Sequence, residues 1–165
     1  MLCYDNSEMF IRQINIMANH KPLHKPLTLT SPKQRQGRLF EQQACAFLQA
    51  QGLYLIAQNW QQPKVGELDL VMLETGSAWS TLVFIEVRQR KRSSFGDAAL
   101  SITASKQRKV IKTAKYFLQN HPDYSHYECR FDIIAYNTVS NGQSKELLVD
   151  SQPEWLKGAF MANAW

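Results

Sequence analysis

The sequence predicts an α/β domain in which two helices flank a mixed central sheet, in the element order α-β-β-β-α-β. Three observations carry that expectation. A helical apolar stripe opens at Gly37, three β-type runs follow between Leu53 and Arg88 at the spacing of a meander, and a second amphipathic helix precedes another apolar run at Cys129–Tyr136. With 165 residues and 44% hydrophobic content, the chain is sized for one core. The expected organisation is a flexible tail over residues 1–36 and a single domain over 37–165.

Each element has its local reason. Residues 1–36 lack a convincing period, and Lys21-Pro22-Leu23-His24-Lys25-Pro26-Leu27 reads as extended chain broken by proline. From Gly37 onward Phe40, Ala44, Phe47, Leu48 and Gln51 fall on one helical stripe, and Gly52 supplies a stop. Leu53–Trp60 reads as a strand and Pro63-Lys64 as a turn. Glu67–Leu73 and Thr81–Arg88 form two further strands, joined by a loop over Glu74–Ser80. Residues Arg90–Thr103 are basic, then rich in loop formers. Ser105 is placed to cap a helix whose apolar face is Val110, Ile111, Ala114, Phe117 and Leu118. Cys129–Tyr136 is the fourth strand, Leu147–Val149 a shorter fifth, and Trp155–Phe160 a closing amphipathic turn.

The chemistry sits in two stretches, Gly66-Glu67-Leu68-Asp69-Leu70 and Phe84-Ile85-Glu86-Val87-Arg88. Each places an acid inside an apolar β-type run, where a charge is costly unless a cation or a task accounts for it. Side chains alternate along a strand, so Glu86, Arg88 and Arg90 share a face, and Glu67, Asp69 and Val71 share another. Hairpin pairing would bring Asp69 beside Glu86. Two neighbouring carboxylates repel, and a hard divalent cation such as Mg²⁺ or Mn²⁺ removes the penalty while favouring phosphodiester hydrolysis. Asp132 and Arg130 are two residues apart on one strand and read as a structural ion pair.

Charge placement points to the partner. The chain carries +5, but Arg88–Lys115 alone holds nine Lys or Arg residues against one acid, leaving the remainder net acidic. Such a block matches a polyanion, and Arg90, Lys91, Arg92, Arg108, Lys109 and Lys112 are the candidate nucleic-acid contacts, DNA before RNA. A solvated helix face is the plainer account of the same lysines. No run approaches the roughly 18 apolar residues of a membrane span, and the opening residues, with Asp5 and Glu8, lack a secretory layout. No membrane partner is expected, and a cytoplasmic location is. Cys3, Cys45 and Cys129 form no C-x-x-C pair, the four histidines have no ligand spacing, and no phosphate-binding glycine loop or nucleophile elbow appears.

Taken with Gly37-Arg38-Leu39-Phe40-Glu41, Asn59-Trp60, Phe95-Gly96, Lys106-Gln107-Arg108-Lys109 and Arg130-Phe131-Asp132, the two acidic stretches resemble the signature of the bacterial YraN family. That family is functionally uncharacterised and is similar to restriction-endonuclease-like PD-(D/E)xK nucleases, Holliday-junction resolvases among them. The resemblance implies an α-β-β-β-α-β core of that type, with Asp69 and Glu86 as metal-binding acids and Glu41 as the helix glutamate of the resolvase branch. Arg88 stands where such nucleases usually have lysine. A guanidinium stays charged and cannot act as a base, so Arg88 is assigned charge stabilisation and Lys106 the part of a migrated lysine. Resolvases of this fold are commonly dimers, which makes a homodimer an open expectation here. The alternative from another class is a nucleic-acid-binding module of the same fold without hydrolysis.

Overall fold

The computed structural model describes residues 31–91, 102–140, 147–149 and 152–162. The family-motif pair Phe95-Gly96, the candidate contact Arg92 and most of the expected tail lie outside them. The elements are α1 (Pro32–Ala50), β1 (Leu53–Gln62), β2 (Gly66–Thr75), β3 (Ser80–Lys91), α2 (Ala104–Asn120), β4 (Glu128–Ser140), β5 (Leu147–Val149) and β6 (Glu154–Phe160), with a 3₁₀ turn at Pro122–Tyr124. The α-β-β-β-α-β order is as predicted.

α1 begins at Pro32 rather than Gly37. Ser31 caps it through a capping box: the Gln34 backbone N–H donates to Ser31 Oγ at 3.2 Å, and the Ser31 N–H donates to Gln34 Oε1 at 3.0 Å. Proline at the first helical position is a start signal, not a break. Phe40, Ala44, Cys45 and Leu48 are buried, whereas Gln51, expected on that stripe, is exposed at the helix end. Gly52 takes φ +90° and turns the chain into β1. α2 is capped by Thr103, whose Oγ1 accepts from the Lys106 backbone N–H at 3.3 Å, so Ser105 lies inside the helix instead of before it.

The sheet has six strands in the order β1-β2-β3-β4-β5, with β6 also paired to β4. β1-β2-β3 is the antiparallel meander, and β3 pairs parallel to β4 across the α2 connection. β5 pairs with the end of β4 at Thr138–Ser140, while β6 runs antiparallel along Phe131–Ala135. Trp155–Phe160 is therefore a strand, not an amphipathic turn. It pairs along the edge of β4, and its Trp155 indole and Gly158 backbone N–H donate to Asp132 on that strand.

Each face of the sheet buries a core. Under α2, Val71, Leu73, Leu82, Phe84, Phe131 and Ile133 pack against Val110, Ala114 and Phe117. Under α1, Leu70, Met72, Val83, Ile85 and Ile134 meet Phe40, Ala44 and Leu48. At about 1.5–3 kcal/mol for each fully buried large apolar side chain, these two layers dominate the favourable side of folding. α2 approaches β2 closely at Gly66. A Cβ there would stand 2.5 Å from Thr113 Oγ1 and 3.2 Å from Lys109 side-chain carbons, so only glycine fits beneath the helix.

Candidate metal and nucleic-acid site

The β2–β3 ladder runs from Thr75↔Ser80 to Leu70↔Ile85. Just beyond it the Val87 backbone N–H donates to Asp69 Oδ2 at 2.8 Å. A side-chain carboxylate thus takes the donor that the next carbonyl of a regular ladder would have taken. The strict alternation expected of Glu67, Asp69 and Val71 also fails here. Leu68 packs in the core under α2 and Leu70 in the core under α1, although they are two residues apart. The strand twists through a half-step at Asp69.

Glu86 is 4% exposed and lies on the α2 side of β3, as its alternation with Phe84 and Ile85 requires. Lys106 reaches it from the first turn of α2, with Nζ 2.8 Å from Glu86 Oε1. Arg88, two residues along the same face, places NH1 3.4 Å from the same oxygen. Burial pushes the Asp69 carboxyl well above the usual carboxylate range, and the negative Glu86 beside it pushes the same way. The Val87 hydrogen bond and the Lys106 charge oppose that rise without cancelling it, and Glu41 adds to it. Glu41 itself is raised, first by burial and then by Glu67 and Glu86. A hydrogen bond with the Asn59 side chain and the Arg38 charge hold it down in part. Its Oε2 is buried with no hydrogen-bond partner.

The fold therefore brings together Asp69, Glu86, Arg88, Lys106 and Glu41, five residues scattered over α1, β2, β3 and α2. Asn59, of the Asn59-Trp60 pair, joins them beside Glu41. It sits inside β1 with φ +52°, at the point between Gln58↔Leu70 and Trp60↔Leu68 that faces Asp69. Nothing in a β-type run announces a left-handed residue, although asparagine is the non-glycine type that adopts it most readily.

The basic block divides. Lys106 turns inward to Glu86, and the stem of Lys109 lies over Gly66. Arg108, Lys112 and Lys115 instead line a surface cleft of about 550 Å³, together with Gln107, Ile111 and the 80% exposed Met161. Arg90 and Lys91 continue β3 beyond Arg88.

An acid of a different kind stands next door. Asp132, fully buried on β4, accepts from Arg130 Nε at 2.8 Å and NH2 at 2.9 Å, from Trp155 Nε1 at 3.0 Å and from the Gly158 backbone N–H at 2.9 Å. Arg130 also pairs with Glu74, and Lys157 Nζ reaches Glu74 at 2.8 Å. The expected Arg130–Asp132 pair is present, and its further donors come from β6, which it fastens to the sheet. Trp60 packs edge-on against Phe117, and Trp155 edge-on against Phe47, as core aromatics do, whereas Trp79 is exposed.

Comparison with known proteins places this site inside a family. The uncharacterised protein family UPF0102 matches residues 40–136. The chain belongs to UPF0102. A UPF0102 protein of Psychrobacter arcticus is 67% identical across the whole of both chains, and one of Psychrobacter sp. strain PRwf-1 is 58% identical over 85% of this chain and 97% of its own. A Pseudomonas putida UPF0102 protein is 43% identical over 76% of this chain and 93% of its own. The UPF0102 match contains Glu41, Asn59, Asp69, Glu86, Arg88 and Lys106, as well as Arg130 and Asp132, while β6 lies outside it.

Whether the UPF0102 site suits a cation follows from its donors. Among the described residues no group of three or more His, Cys, Asp or Glu side chains is arranged as a ready metal cage. Mg²⁺ does not require one, since it is commonly held by one or two carboxylates with water and substrate phosphate completing the shell. Asp69 and Glu86 provide hard oxygen donors whose mutual repulsion a cation would relieve, and Glu41 contributes an orphaned buried oxygen. The residues fit a divalent cation. No helix among the described residues is long and apolar enough to cross a membrane.

Proposed function

We propose that the chain is a Mg²⁺- or Mn²⁺-dependent nuclease that hydrolyses DNA phosphodiesters, with branched or single-strand-containing DNA as the preferred class. The observation that carries this reading is the meeting of Asp69 and Glu86 where β2 and β3 part, with Lys106 on Glu86 and the Asp69 carboxyl pushed up by burial and by its acidic neighbour. Asp69 and Glu86 would hold the cation, with Glu41 an outer ligand. A cation bound there would supply Lewis acidity toward a phosphoryl oxygen and toward water.

The remaining residues divide the work. Water attacks phosphorus and gives up a proton to solvent, the phosphorus–oxygen bond to the leaving strand breaks, and the leaving oxygen takes up a proton from solvent. Arg88, always charged, stabilises the negative charge that grows on the phosphoryl oxygens. Lys106, held on Glu86, is the second cation beside the reacting phosphate, in the part of a migrated lysine. The cleft lined by Arg108, Lys112 and Lys115 supplies phosphate contacts beside the helix turn that carries Lys106.

One observation favours a second reading. Glu86 has Lys106 and Arg88 as counter-ions, and an acid so paired needs no metal, which suits a nucleic-acid-binding module without hydrolysis. Cleavage of labelled duplex, flap, single-stranded and four-way-junction DNA with Mn²⁺ or Mg²⁺ separates the two. The nuclease reading expects cutting that falls at least about 100-fold in both Asp69→Ala and Glu86→Ala while DNA binding persists. Tight binding with no metal-dependent cutting of any substrate would establish the module instead.

A further inference from the structure

We infer that the cleft between α2 and the end of β6 is a second nucleic-acid surface, which holds an unpaired strand with Ile111 and Met161 against its bases. This rests on the nucleic-acid reading above but not on hydrolysis. Arg108, Lys112 and Lys115 recur at helical spacing along one side of α2, over about 10 Å of its axis. None of the described residues that line the cleft is acidic, so its charge suits a polyanion. Lys106 is two residues from Arg108 and reaches Glu86 from another side of the helix. The cleft is therefore separate from the acidic pair, although both adjoin the first turns of α2.

Between the cations the cleft is apolar. Ile111 packs half-buried against the core beneath α2, and Met161 lines the cleft from beyond β6. Its place is set by its neighbours: Phe160 is buried and stacked on Phe131, with ring centroids 5.0 Å apart, and the Gly158 N–H is tied to Asp132. The residue after Phe160 turns outward, which leaves Met161 80% exposed beside a row of cations. A duplex hides the faces of its bases in the stack and offers such a surface its phosphates, whereas an unpaired strand offers phosphates and base faces together. A thioether is polarizable and contacts aromatic rings favourably. The cleft, at about 550 Å³, has the size of a ligand pocket. A substrate whose strands part at α2 would set one strand at Asp69 and Glu86 and lay the other in the cleft.

The test reads binding to the full chain by fluorescence anisotropy in EDTA, so that nothing is cut, with a labelled oligothymidine and a blunt duplex of the same length. Met161→Ala is expected to weaken the single strand about fivefold and leave the duplex unchanged, and Met161→Leu to keep wild-type affinity for both. Arg108→Gln combined with Lys112→Gln should weaken both and lower the salt slope of binding by about one to two phosphate contacts. Wild-type affinity for the single strand in Met161→Ala, an equal loss on the duplex, or an unchanged salt slope in the double variant overturns the cleft as a strand surface. Polyglutamate that displaces the oligothymidine as well as unlabelled strand of equal charge overturns it in favour of an acidic protein partner. If metal-dependent cutting is still lost in Asp69→Ala in any of these cases, the nuclease reading stands. Wild type that binds neither oligonucleotide overturns both.

Discussion

Asp132 and Glu86 stand on neighbouring strands but on opposite faces of the sheet, since β3–β4 pairing sets Asp132 against Ile85, and the two acidic centres are built on opposite principles. Around Asp132 both carboxylate oxygens are saturated by an arginine, an indole and a backbone N–H, and Glu74 extends the network to Lys157. Around Asp69 the donors fall short: one backbone N–H on Oδ2, a like charge at Glu86, and an orphaned oxygen on Glu41. A buried acid that is fully satisfied fastens structure. A group of acids whose acceptors are not all met can take up a proton or a cation, which is why the second centre and not the first is the candidate site.

The sharpest way to break the comparison is to remove the cation from the saturated centre. Arg130→Ala leaves Asp132 buried with two neutral donors, and a loss of about 3 kcal/mol in urea unfolding is expected. A loss below about 1 kcal/mol would mean that Asp132 is no structural clamp. Next in size is Gly66→Ala. The added methyl meets Thr113 Oγ1 and the Lys109 stem, so α2 must shift, at a cost of about 1–3 kcal/mol. Because α2 carries Lys106, the same variant should weaken the Lys106–Glu86 pair, seen as a changed Lys106 ammonium signal by NMR. An unchanged signal would show that Lys106 reaches Glu86 regardless of helix position.

The smallest effects are the most discriminating, because the two centres should answer pH with opposite sign. Asp69 is raised on folding, so without metal its contribution is present at low pH and is lost as pH climbs through its folded pKa. Asp69→Asn should therefore be at least as stable as wild type at neutral pH, and the difference should close toward pH 4. For Glu74 burial pushes upward, but the hydrogen bonds from Lys157 and Arg130 outweigh it and leave the group lowered. Its stabilisation is present above the ordinary carboxylate range and lost as pH falls through its folded pKa. Glu74→Gln should cost about 1 kcal/mol at neutral pH and less on acidification. Urea midpoints of both variants from pH 4 to 8 read the two slopes, and slopes of the same sign would erase the distinction drawn here.

Much of this was open to inspection in the chain. The Val, Ile and Phe runs around Asp69 and Glu86 specify strands whatever their partners, and the stripe through Val110, Ala114 and Phe117 specifies a helix. Two errors came from local signals that compete. Residues 31–36 lack an apolar period and read as tail, although Ser31, Pro32 and Gln34 start a helix. Trp155–Phe160 has too short an apolar pattern to separate strand from helical turn, and the edge of β4 decided it. Asp69 and Glu86 are legible as types out of place, since a charge within an apolar run stands out, whereas the roles of Glu41 and Lys106 are what the family resemblance implies. Asn59 is not legible, because its φ follows from where β1 must face Asp69 and Glu41.

By itself the sequence determined the elements from α1 to β5 and their order, since propensity, periodicity and turn chemistry act over a few neighbours along the chain. Only the tertiary structure decided which acid would be satisfied and which left wanting. Hydrogen-bond partners come from residues distant in sequence: Trp155 and Gly158 for Asp132, Val87 and Lys106 for the Asp69–Glu86 pair, Asn59 for Glu41. Solvation and charge compensation are properties of a point in space, and a chain has no such points until it folds.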